Sequence, residues 1–182
     1  MKTKKSSNPT VILIALALVS LSALALSACK LESDENLTVQ ASPEILSLFV
    51  EGTPEGAVPV KAVIGAQPGA KVVVTGVIGG VLHPFTEGYA SFVLADETLL
   101  FCNEMEDDHC ETPWDACCED PDKIRQMRLV VQAVDAEGLP VEQGLRGVGG
   151  LQELDVVTVS GVVDPQSTPD NLIVNLTSIV RG

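Results

Sequence analysis

Lys71-Val72-Val73-Val74-Thr75-Gly76-Val77-Ile78-Gly79-Gly80 and Val156-Val157-Thr158-Val159-Ser160-Gly161-Val162-Val163 decide the fold of this chain. Both runs are dominated by β-branched residues and bounded by turn formers, so both read as strands. Working outward, residues 89–95 alternate Ala90, Phe92 and Leu94 against Ser91, Val93 and Ala95, and residues 128–134 form a further β-rich run. In residues 172–180, Leu172, Val174 and Leu176 share one face while Asn175 and Thr177 take the other, the half-buried alternation of a sheet with one wet side. Between the third and fourth of these strands, Leu145, Val148, Leu151 and Leu154 have the spacing of a short helical element. Gly144, Gly147, Gly149 and Gly150 argue against a long one.

Five strands with a short helical element before the fourth predict an all-β fold, a five-stranded OB-fold-like barrel over residues 70–182. The repeated Val72-x-Val74-x-Gly76 and Val157-x-Val159-x-Gly161, and the second-strand pattern Phe92-x-Leu94-x-Asp96, resemble those of bacterial OB-fold proteins. Ile78-Gly79-Gly80, Pro84-Phe85 and Thr112-Pro113-Trp114-Asp115, followed by paired cysteines, are similar to a group of uncharacterised exported OB-fold lipoproteins of planctomycete-type bacteria. That resemblance implies a fold and an address, and no activity.

The address is written at the start of the chain. Lys2, Lys4 and Lys5 form a positive region, residues 11–26 an apolar one, and Leu26-Ser27-Ala28-Cys29 closes it. The tetrapeptide resembles a bacterial lipobox, which implies cleavage after residue 28 and acylation of Cys29. Several acyl chains hold a protein stably on a membrane surface where one holds it only marginally. Lys30, in the place where aspartate would retain the protein at the inner membrane, implies the periplasmic face of the outer membrane. Residues 29–40 then read as a flexible acidic tether. Residues 41–69, punctuated by Pro43, Pro54, Pro59 and Pro68, read as a partly ordered lead-in with helical turns at 42–49 and 61–64.

Charge narrows the partners. The chain carries a formal net charge of −14, and removing residues 1–28 takes away three lysines and no acid, leaving −17. Nucleic acid requires a basic stripe, and Lys61, Lys71, Lys123, Arg125, Arg128, Arg146 and Arg181 are too few and too scattered to make one. The acidity serves solubility on a crowded surface.

Residues 98–127 form an acidic insert between the second and third strands, and they hold Cys102, Cys110, Cys117 and Cys118. In an exported chain an even cysteine count points first to disulfides. A Cys117–Cys118 bond would be strained, so Cys102 and Cys110 are expected to pair with Cys117 and Cys118 in either order. The competing expectation is a copper or zinc site built from Cys102, Met105, His109, Cys110, Cys117 and Cys118. Its C-x7-C-x6-C-C spacing lacks the paired knuckles of a zinc ribbon. The acidic residues lack the D-x-D-x-D-G order of a calcium loop.

No catalytic function is expected. The two histidines, His83 and His109, adjoin no suitable nucleophile, and no G-x-S-x-G, H-E-x-x-H or phosphate-binding glycine loop occurs. A thiol redox enzyme is the least favoured class, for want of a C-x-x-C helix start. OB barrels bind on the face of their second and third strands, between the loop after the first strand and the loop joining the last two. These loops here are 79–88 and 164–171. Recognition is therefore expected from His83, Phe85 and Tyr89, with Trp114 of the insert. An envelope protein or a small neutral or cationic ligand suits them better than a polyanion.

Overall fold

A computed structural model describes residues 41–52, 54–105 and 110–182. Residues 1–28, expected to be an export segment, and Cys29 and His109 lie outside the described residues. The strands are β1 (Val58–Pro59), β2 (Lys71–Ile78), β3 (Ser91–Ala95), β4 (Arg128–Gln132), β5 (Val156–Val163) and β6 (Ile173–Arg181), with two short α-helices, α1 (Pro43–Ser47) and α2 (Pro121–Gln126). They form one sheet in the order β1-β2-β3-β4-β6-β5, and β2 pairs with β5 to close it. The closed ring β2-β3-β4-β6-β5 is the expected five-stranded OB-fold-like barrel, with β4 and β6 parallel and its other neighbours antiparallel.

The two strands richest in valine, β2 and β5, form the seam of the barrel. β2 and β5 run antiparallel from Lys71↔Val162 to Val77↔Val156, and the Thr75 and Thr158 hydroxyls meet across the pair at 2.8 Å. Their glycines sit where two layers of chain come closest. A Cβ on Gly76 would lie 2.4 Å from the carbonyl oxygen of Ala95 and 2.8 Å from the Val60 side chain, and one on Gly161 would lie 2.4 Å from Val174. Gly161 also marks a bulge: Ser160 pairs with Ser178 and Gly161 with Leu176, leaving Thr177 as the extra residue. The bulge explains a change of phase in β6, where Leu172, Val174 and Leu176 are buried as their alternation requires and the next buried residue is Ile179.

The barrel interior is aliphatic apart from Phe92, and includes Val74, Ile78, Leu94, Leu129, Val131, Val157, Val159 and Val174. The lead-in is part of this core. Ser42 caps α1 by accepting from the Ile45 amide, Pro43 occupies the first helical turn, and Ile45 is fully buried. The chain then lies along the last strand: the Ile179 amide donates to the Leu48 carbonyl and the Val50 amide to the Ile179 carbonyl. β1 adds two residues parallel to β2, and the 3₁₀ turn Val60–Ala62 buries Val60. The helical element before β5 is a single 3₁₀ turn, Val148–Gly150, with Gly147 and Gly149 at positive φ on either side of Val148.

A second, smaller core lies under the insert, made of Val77, Ala95, Leu99, Phe101 and Ala116, with Ile124, Met127 and Leu154 against it. The insert therefore stands on the barrel. It carries α2, capped by Asp120, whose carboxylate accepts from the amides of Asp122 and Lys123.

Candidate functional site

The turn after β2 is built around Gly79 and Gly80. A Cβ on Gly79 would lie 2.7 Å from the Trp114 carbonyl, and Gly80, at φ 77°, donates its amide to that same carbonyl at 2.8 Å. The Trp114 indole N–H donates to the Leu82 carbonyl at 3.1 Å. The first loop of the barrel is thus held to the insert on both sides of Val81.

Residues 84–86 then run beside the start of β3. Val93 donates to the Pro84 carbonyl and Thr86 to the Ser91 carbonyl, and Phe85 bridges to Phe92 with ring centroids 6.1 Å apart. A groove of about 930 Å³ opens over this loop. One wall is residues 82–88, another is Trp114, and the third is Gln143, Gly144, Leu145 and Arg146 with Glu153. His83, Phe85 and Trp114 are brought together there. Tyr89 is 43% exposed and is not among the groove residues. The loop 164–171 does not line it either. That loop is closed on itself, because Asp164 accepts from the Gln166 amide and the Asn175 side chain, and Ser167 Oγ bonds the Ile173 backbone.

Gln143, Arg146 and Glu153 were not foreseen from the sequence. Arg146 and Glu153 pair at 3.0 Å on the rim. Gln143 Oε1 accepts from the Ser42 amide at 2.9 Å, while its Nε2 is buried and has no hydrogen-bond partner among the described residues. A buried amide donor left unpaired is costly. The signal for Gln143 was its place among glycines in the β4–β5 connection, and a local pattern cannot show which residue a distant lead-in will meet.

The insert gathers sulfur. Cys102 begins the 3₁₀ turn Cys102–Glu104 and is buried, Cys110 is half-buried and Cys117 exposed. Their Sγ atoms all lie within 4.8 Å of one another, with Cys102 and Cys117 3.5 Å apart. Cys118 is not in that group, and Met105 is exposed. The Thr112 hydroxyl, 3.4 Å from Cys110 Sγ, holds that thiol below its ordinary value. The Cys102 sulfur draws the Cys117 thiol down, but burial and the neighbouring Cys118 and Cys110 thiols outweigh it and leave Cys117 raised.

At the end of β3, Asp96 is fully buried. It accepts from the Lys61 amide at 2.9 Å, the Thr98 amide at 3.1 Å and the Thr98 hydroxyl at 2.6 Å, and the Lys61 ammonium stands 3.5 Å away. Burial pushes its carboxyl up, yet the Thr98 hydroxyl, the two amides and the ammonium together hold it below 3.8. Asp96 is a latch between lead-in, barrel and insert.

Among the described residues no helix is long and apolar enough to cross a membrane. Comparisons with protein-family models, curated proteins and solved structures gave no match, so the functional reading rests on the groove and the sulfur cluster themselves.

Proposed function

We propose that this chain is a lipid-anchored lipoprotein of the cell envelope, held at Cys29, that acts as a non-catalytic binding module. The observation that carries the binding reading is the groove between residues 82–88, Trp114 and residues 143–146. Its walls are largely apolar, from Leu82, Pro84, Phe85, Trp114 and Leu145, and on its charged rim Arg146 is paired with Glu153, leaving one further acid, Glu87. A site of this kind suits an uncharged ligand or a segment of an envelope protein, with Trp114 and Phe85 as anchors and the Gln143 amide as a donor. Support for the address comes from the lipobox-like Leu26-Ser27-Ala28-Cys29 and the charge of −14, which disfavours anionic partners.

The test is site-specific photo-crosslinking in intact cells, with the photoreactive residue replacing Leu82 on the groove rim or Leu139, exposed on the 134–140 hairpin and not among the groove residues. A discrete adduct from position 82 that is lost with Trp114→Ala, and is absent from position 139, is the expected result. The same adducts from both positions would overturn the reading.

A further inference from the structure

The sulfur cluster is separate from the groove and carries its own chemistry. Cys102, Cys110 and Cys117 are spread over sixteen residues of sequence, yet their sulfurs come together. The two arms of the insert are tied by the Cys102 amide on the Asp115 carbonyl at 2.8 Å and the Asn103 amide on the Pro113 carbonyl at 3.1 Å. Beneath them Phe101 and Ala116 are buried in the second core, and the Asp115 carboxylate fixes the Ala116 amide at 2.7 Å. The sulfurs therefore sit on a preorganised platform.

Their spacing is that of ligands around one ion. Thiolates bound to a common d¹⁰ metal at about 2.3 Å lie about 3.8 Å apart in tetrahedral geometry and about 4.0 Å apart in trigonal geometry. With Cys102 and Cys117 sulfurs 3.5 Å apart and all three within 4.8 Å of one another, small adjustments reach either value. Depth is graded from buried Cys102 through Cys110 to exposed Cys117, so an ion reaching the site from solvent is held on its inner side by a fixed ligand. Sulfur donors select soft cations over calcium or magnesium, which require oxygen.

We propose that Cys102, Cys110 and Cys117 form a three-thiolate site for a thiophilic d¹⁰ cation, monovalent copper or divalent zinc. Each thiol gives up its proton as its sulfur–metal bond forms, and no electron is transferred. Three thiolates complete the trigonal shell of monovalent copper; zinc would take a solvent molecule as its fourth ligand. Cys118, although adjacent to Cys117, takes no part.

The experiment uses the full chain purified in detergent under anaerobic, reducing conditions. Cobalt(II) serves as the spectroscopic probe for zinc through its thiolate charge-transfer bands, and copper(I) is supplied as its bicinchoninate complex, whose colour fades as the protein withdraws the metal. Binding of one equivalent of either probe is expected, weakened at least about tenfold by Cys110→Ser or Cys117→Ser and within about twofold of the parent for Cys118→Ser. Should a serine variant fail to fold, the parent chain still decides the matter. Bound metal is expected to slow iodoacetamide labelling of Cys102, Cys110 and Cys117 while Cys118 reacts at its unliganded rate. Failure to bind either probe, equal weakening by Cys118→Ser, or isolation of the exported chain with Cys102 and Cys117 joined in a disulfide would overturn the proposal.

Discussion

At the scale of single residues, Asp96 shows how one side chain unites parts far apart in sequence. Its carboxylate satisfies two backbone amides and a hydroxyl in a site closed to water, so replacement by alanine leaves three donors with no acceptor. Asp96→Ala is expected to lower stability by about 2–4 kcal/mol, measured by urea denaturation at pH 7. The sign of its pH dependence follows from the lowered carboxyl. The unfolded chain takes up the proton first as pH falls, so the stabilisation is complete above the ordinary carboxylate value of 3.8 and is lost as pH falls through the lower native value. The stability difference between the parent and Asp96→Asn should accordingly narrow in acid. Gly76 makes a complementary case, since its missing Cβ lets the Ala95 carbonyl and the Val60 side chain approach. Gly76→Ala should cost about 1–3 kcal/mol through overpacking, read as a fall in melting temperature with the β-type circular dichroism retained.

At the scale of elements, the lead-in behaves as part of the barrel. Ile45, Val60 and Val63 are buried in the main core, and residues 48–50 hydrogen-bond to Ile179 of β6. Ile45→Ala should cost about 2–4 kcal/mol, and a chain shortened to residues 70–182 should lose cooperative thermal unfolding. The five barrel strands were legible because β-branched runs and alternation are local signals. Leu172, Val174 and Leu176 point inward as their period demands. The bulge at Thr177 was not legible, because it depends on pairing with Ser160 and Gly161. α2 carries a readable signal in Asp120-Pro121, an N-cap followed by proline at the first helical position, but the helix is short and set in a run of acids that has no apolar period of its own. β1 has only two residues and owes its existence to the parallel alignment of Val58 and Pro59 with β2, which no window of sequence contains.

At the scale of the whole molecule, the groove of this closed barrel is built from loops, and the insert supplies one of its walls through Trp114. His83, Phe85 and Trp114 were recognisable beforehand as aromatic or titratable residues in loops of an aliphatic protein. The groove itself was not, since its far wall, residues 143–146, comes from a glycine-rich connection with no binding signature. The sulfur cluster was legible as a set of cysteines but not as a triad, because the separation of Cys118 from the other three depends on how the insert folds over Phe101 and Ala116. Native mass spectrometry of the protein released gently from the membrane fraction of the cells that make it tests the proposed anchor and the proposed groove together. The account predicts a chain beginning at Cys29 with acyl groups attached and a non-covalent occupant that Trp114→Ala and Phe85→Ala remove. A chain without acyl groups, or an occupant that survives both substitutions, would contradict it.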